Sequence, residues 1–300
     1  MTPDLMEEGV RRTQAAAERA AAQIGSGGRT AGYSRIATPG EVDVTHGRIL
    51  YLEDVHVSFD GFKAINGLNL DIAPGELRCI IGPNGAGKST LLSMVSRLDV
   101  ITSGSASVAG LDVAKTASDV LAKVMAILRQ DNQSSLRLTV RDLVGFGRFP
   151  HCKGRMTAED VQHVNQALQY LQLTEMADRY LDELSGGQRQ RAYIAMVLCQ
   201  DTPYLLLDEP LNNLDMAHAV SMMKLLRRLV DERQKTVVVV LHDINFASCY
   251  ADHIIAMKNG RVSLAGGPLE VVTDEVLSDL YEIAVSVHEV KGHRLCHYFA

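Results

Sequence analysis

With 300 residues, 46% of them hydrophobic, the chain is long and apolar enough to bury a real core, which excludes disorder throughout. A formal net charge of -6 gives no global attraction to nucleic acid, and no local basic patch offsets it, so no nucleic-acid partner is expected. No run approaches the roughly 18 apolar residues of a membrane helix, and the cysteines Cys79, Cys152, Cys199, Cys249 and Cys296 form no metal-type pair. The expectation is a soluble chain in a reducing compartment, held at a membrane only by a partner.

Residues 1–47 stand apart as a leader. Arg11 to Gln23 is alanine-rich, Gly25 to Gly40 is a linker of Gly, Ser, Thr and Pro, and Asp4, Glu7 and Glu8 argue against a transit peptide. A cytosolic address is the expectation. From Arg48 the pattern is that of a folded domain. Ile49 to Phe59 alternates apolar and polar residues, Leu68 to Ile72 does so again, and Pro74-Gly75 marks a turn. Phe59 ends the first of these strands, where an aromatic either stacks on an adenine ring or packs into the core.

Glu76 to Ile81 reads as a short buried strand, and Thr90 to Arg97 as the start of an apolar-faced helix. Between them lies Gly82-Pro83-Asn84-Gly85-Ala86-Gly87-Lys88-Ser89-Thr90, which has the spacing of a phosphate-binding loop. Its glycines allow a tight turn and close approach of backbone N–H groups to phosphate oxygens. Lys88 would bring a full positive charge to the β- and γ-phosphates, and Ser89 a hydroxyl to Mg²⁺.

Ser103 to Val108 reads as a hairpin or edge strand, and Val120 to Leu128 leads to Gln130. Leu138 to Leu184 reads as a helical section: Val140 to Gly145, an exposed loop from Phe146 to Arg155, and a helix from Ala158 to Gln172 capped by Thr157. The section is expected to be inserted into an α/β core.

Leu184-Ser185-Gly186-Gly187-Gln188 opens another helix, with Ser185 and Gln188 spaced as a capping box. The box does not account for two glycines in a first turn, each of which costs up to about 1 kcal/mol relative to alanine. An anion meeting the helix N-terminus would account for them. The apolar run from Tyr204 to Leu207, ending in Asp208-Glu209-Pro210, suits a parallel strand buried on both faces. Its carboxylates then emerge where ligands collect in open α/β sheets. Asp208 would hold Mg²⁺ and Glu209 would polarise a water. Val237 to Leu241 is a further buried strand with His242 at its end. Ile254 to Met257 and Arg261 to Leu264 form a hairpin about Lys258-Asn259-Gly260, before helices at Pro268 to Val272 and Asp274 to Tyr281.

This set of motifs resembles the ATP-binding subunits of ABC transporters over residues 48–300. On that resemblance Phe59 is the adenine-stacking aromatic, Gly82 to Thr90 is Walker A, and Gln130 is the Q-loop glutamine, which also reaches the metal. Leu184 to Gln188 is the signature motif, Leu205 to Asp208 with Glu209 is Walker B, Asn212-Asn213-Leu214-Asp215 is the D-loop, and His242 is the switch histidine. The implied fold is α/β: a P-loop NTPase (RecA-like) core with an antiparallel β-subdomain and an inserted helical signature subdomain at about 131–195. The implied cofactors are ATP and Mg²⁺.

Two such subunits pack head to tail, so that Ser185 to Gln188 of one face the nucleotide held by Walker A of the other. Transmembrane permease subunits dock near the Q-loop, on the cytoplasmic side of the membrane, and a substrate-binding protein acts indirectly. From Ser89 onward, with Leu136 to Pro150 among the matching segments, the chain is similar to the ATPases of iron-siderophore importers. Phe59-Asp60-Gly61-Phe62-Lys63-Ala64-Ile65 and the leader look more like the ATPases of urea or branched-chain amino-acid importers. A natural variant and a join of two parents both fit that contrast.

Overall fold

The computed structural model describes residues 50–59, 61–130, 137–212 and 214–298. The leader expected over 1–47, Asp131 to Leu136 and Asn213 lie outside the described residues.

A six-stranded sheet carries the architecture. In spatial order it runs β10 (Arg261–Gly266), β9 (His253–Lys258), β3 (Leu77–Ile81), β8 (Thr236–Val240), β7 (Tyr204–Asp208) and β6 (Met125–Leu128). Every neighbouring pair is parallel except β10 with β9. Alternation of side chains along these strands divides the interior in two. Leu77, Cys79 and Ile81, with Leu205, Leu207, Val237 and Val239, face one cluster. Ile80, Leu206, Val238 and Val240 face the other. Both faces are covered, which is why the strands read as unbroken apolar runs.

The second cluster is closed by helix α1 (Lys88–Val95) and by an antiparallel sheet of β1 (Leu50–Phe59), β2 (Phe62–Ile72), β4 (Ser103–Val108) and β5 (Leu111–Asp112), ordered β2-β1-β4-β5. The strand expected from Leu68 begins earlier, because Phe59 pairs with Phe62 across a tight hairpin. Strand β4 is interior to its sheet, paired with β1 on one side and β5 on the other. The stretch Val120 to Leu128 divides into a short helix, α2 (Ser118–Leu121), and β6.

The first cluster is closed by α3 (Val140–Phe146), α5 (Ala158–Tyr170), α6 (Gly186–Cys199) and α7 (Met216–Arg233). Thr139, Thr157 and Ser185 each cap a helix with a reciprocal capping box, as the last two were expected to do. The expected exposed loop from Phe146 to Arg155 is a correction. It holds the one-turn helix α4 (Phe149–Cys152), and Arg148 ahead of it is buried. The Arg148 guanidinium donates to Asp160 Oδ1 at 2.9 Å and to the Cys199 carbonyl at 3.1 Å. Together with the Thr157 bonds, it holds the Asp160 carboxyl down at about 2. One arginine thus ties the start of α5 to the end of α6, and a charge buried with its partner present sets that geometry firmly.

Beyond α7 the chain adds α8 (Ile244–Tyr250), α9 (Pro268–Val271), α10 (Asp274–Tyr281) and a closing hairpin of β11 (Ser286–Val290) with β12 (His293–His297). Neither α8 nor the hairpin is evident in the sequence pattern. No helix among the described residues is long and apolar enough to cross a membrane.

Candidate functional site

Strands β3, β8, β7 and β6 are consecutive neighbours, so their carboxyl ends deliver four segments to one edge. These are the glycine loop after β3, His242 after β8, Asp208-Glu209 at the end of β7 and Gln130 after β6. The register places Ile80 beside Val240 and Val240 beside Asp208. The candidates from Gly82 to Thr90, Gln130, Asp208, Glu209 and His242, far apart in sequence, are thereby brought together.

The loop is shaped by glycines that nothing else could replace. Gly82 has φ 147°, and a Cβ there would lie 2.1 Å from the Met257 carbonyl oxygen on β9. Gly87, at φ 95°, is the N-cap of α1, where a Cβ would come within 2.7 Å of the Ala64 carbonyl. The backbone is pressed against β2 and β9 on its inner side. At Gly85 nothing lies within 4 Å of a Cβ position, so the loop is open outward. A bare concave backbone ahead of a helix N-terminus is a cradle for an anion.

Lys88 is buried, and its ammonium donates to the Gly82 and Pro83 carbonyls at 2.8 and 3.0 Å. Burial lowers its pKa, against the opposing pull of Glu209 and Asp208. Ser89 Oγ donates to Asp208 Oδ1 at 3.1 Å. Burial raises the Asp208 pKa, and the Ser89 hydrogen bond works against that rise. A hydroxyl and a carboxylate so placed supply hard oxygen ligands of the kind Mg²⁺ takes.

Glu209 is the focus of the edge. It is buried and sits at φ 50°, a conformation uncommon for a residue with a side chain. Its Oε1 pairs with His242 Nε2 at 2.6 Å. Its Oε2 accepts from Gln130 Nε2 at 2.7 Å and from Asn212 Nδ2 at 2.5 Å. A buried carboxylate facing an open edge and oriented by three polar groups is equipped to take a proton from water.

Two candidates lie apart from this cluster. Phe59 is 45% exposed at the tip of its hairpin, which removes the core alternative and leaves a free aromatic face. Ser185 accepts from the Gln188 N–H and its own N–H donates to Gln188 Oε1, which fixes the N-terminus of α6. Among the described residues no hydrogen bond or ion pair joins Ser185 to Gln188 with the Gly82 to Thr90 loop. Gly187 also has a local reason: a Cβ there would come within 3.2 Å of the His218 ring. His218 is held by Asp215, the N-cap of α7, through Nδ1 at 2.7 Å. Sequence reasoning had no signal for that packing, since His218 stands 31 residues downstream of Gly187.

The profile of the "ABC transporter" family matches residues 65–212. The petrobactin import ATP-binding protein YclP of Bacillus subtilis (strain 168) is 50% identical over 249 residues, which cover 83% of this chain and 99% of that protein. The chain belongs to the ATP-binding subunits of ABC transporters. Solved structures agree with this ABC subunit in fold. The inward-facing conformation of a putative metal-chelate type ABC transporter matches with a TM-score of 0.72 and 27% identity over 84% of this chain and 96% of that one. The ATP-binding cassette MJ0796, dimeric in a post-hydrolysis state with ADP and Pi, matches with 0.65 and 31% identity over 73% and 99%. The P-loop NTPase fold expected from the sequence is therefore the fold observed. The subunit binds ATP, is an ATPase of a transport system and is membrane-associated in that capacity.

Proposed function

We propose that this ABC subunit binds and hydrolyses ATP to energise import of iron-siderophore complexes, working from the cytoplasmic face of the membrane. The convergence of Gln130, Asn212 and His242 on the Glu209 carboxylate supports the catalytic half of this reading most strongly. Gly82 to Thr90 cradle the phosphates, with the ammonium of Lys88 turning from the loop carbonyls to the ligand. Phe59 offers its exposed ring to the adenine. Ser89 and Asp208, with Gln130, would hold Mg²⁺, which would supply positive charge against the phosphates. Glu209 takes the proton of the attacking water, and His242 orients the γ-phosphate. Among the described residues, Ser185, Gly186, Gly187 and Gln188 make no hydrogen bond or ion pair to the loop of their own chain, which fits their serving the nucleotide of a second copy packed head to tail. The dimeric state of MJ0796 is in keeping with that arrangement.

The substrate class rests on YclP, whose name gives it petrobactin import. That likeness spans more residues than the chain possesses from Ser89 onward, so it takes in part of the front as well as the back. In this reading residues 1–47 are a leader, and 48–300 form one ABC domain with the helical subdomain of about 131–195 inserted. A substrate-binding protein delivers the chelate to the permease outside.

The permease docks on the helical subdomain. Phe146 and Phe149 are 50% and 60% exposed, and Met156 and Val161 of the same segment are exposed as well. Exposed apolar patches mark interaction sites. Phe149→Asp is expected to leave the ATPase rate of the isolated chain unchanged while removing its stimulation by reconstituted permease. Full stimulation of that variant would place the permease elsewhere.

A further inference from the structure

We infer that Asn212 is a positioning residue that holds Glu209 Oε2 throughout the cycle and so assigns proton transfer to Oε1. The inference rests on the reading of Glu209 as the proton acceptor. Asn212 N donates to the Glu209 carbonyl at 3.2 Å, so Glu209 to Asn212 form a turn with Pro210 and Leu211 at its centre. The turn carries the Asn212 amide against the carboxylate, with Nδ2 at 2.5 Å from Oε2.

A carboxylate offers about four lone-pair sites; the Gln130 and Asn212 amides donate to two on Oε2, and His242 pairs with Oε1. These partners are not equivalent. Gln130 and His242 come from the ends of β6 and β8, and each has a second task at the metal or the γ-phosphate in the proposed cycle. Asn212 belongs to the same turn as Glu209 and moves with it. Its side chain makes no other hydrogen bond among the described residues. When Gln130 and His242 turn to the nucleotide, Oε2 stays occupied and Oε1 is released to face water. Outer-shell partners that orient metal ligands govern roughly 10- to 100-fold of affinity or activity, and the same scale is expected for a partner that orients this carboxylate.

The test uses three variants of the full chain. Asn212→Leu keeps the volume and loses the donor. Asn212→Asp keeps the shape and turn preference of asparagine but sets a second carboxylate against Glu209. Asn212→Gln keeps an amide. Expected for Asn212→Leu is a kcat roughly tenfold or more below the parent, with KM and the affinity for a fluorescent ATP analogue unchanged. Asn212→Asp should fall further, and Asn212→Gln should retain more activity than Asn212→Leu.

Parental kcat in Asn212→Asp would reduce Asn212 to a turn former and overturn the inference. A loss of analogue affinity matching the loss of kcat would do the same. Glu209→Gln, assayed alongside, separates the two layers. If that variant turns over normally, the reading of Glu209 fails and the inference with it. If it is inactive while Asn212→Leu is fully active, only the positioning role is lost.

Discussion

The Glu209→Gln chain is expected to bind ATP as tightly as the parent and to hydrolyse it at least about 100-fold more slowly, the usual contribution of a positioned general base. The amide has nearly the shape of the carboxylate and can still meet His242 Nε2 or the Gln130 amide, so the fold and the cradle should be undisturbed. It cannot accept a proton. With hydrolysis blocked, ATP should accumulate on the protein and hold two chains together, a change in mass that light scattering reads directly. Turnover near the parental rate would remove Glu209 from its role and leave Gln130, Asn212 and His242 around it without a catalytic purpose.

Lys88→Ala should act one step earlier, on binding. The ammonium is buried and already bonded to the Gly82 and Pro83 carbonyls, so its charge is held inside the loop before any nucleotide arrives. A hydrogen bond to a charged group contributes about 1.5–3 kcal/mol, and the ammonium would make more than one to the β- and γ-phosphates. Nucleotide affinity is therefore expected to fall roughly 100-fold, on the rule that 1.4 kcal/mol is a factor of ten. Equilibrium titration with a fluorescent ATP analogue measures this. Parental affinity would mean that the glycine loop does not hold the phosphates.

The two variants differ in where they fail, and that difference carries information. Lys88→Ala should bind weakly and so fail to dimerise at ATP levels that saturate the parent, whereas Glu209→Gln should bind, dimerise and then stall.

Much of this site is legible in the sequence because its residues are fixed by local rules. Gly82 to Ser89 declare themselves by spacing, and Asp208-Glu209 by following an apolar run that only a strand buried on both faces would use. Ser185 and Gln188 are readable for the same reason, since a capping box is closed within one turn.

Features set by distant contacts leave no such trace. Arg148 sits in a stretch rich in glycine, proline and basic residues that reads as exposed, yet Asp160 and the Cys199 carbonyl bury it. Phe59 reads as core or ligand-stacking, and the tight hairpin to Phe62 decides for exposure. Helix α8 is short, and the hairpin of β11 and β12 exposes most of its residues, so neither shows a sustained apolar period. The contact of Gly187 with His218 joins two segments whose proximity only the fold creates. Asn212 is visible as part of a motif, but its bond to Glu209 depends on the backbone of the intervening turn.

ATP hydrolysis by the chain reconstituted with candidate permeases in liposomes decides which import system it energises. An iron-siderophore permease is set against a urea-type one, each with its own loaded binding protein. Stimulation is expected from the iron-siderophore permease alone. Stimulation by the urea-type permease alone would contradict iron-siderophore import and transfer the substrate class to the reading suggested by Phe59 to Ile65.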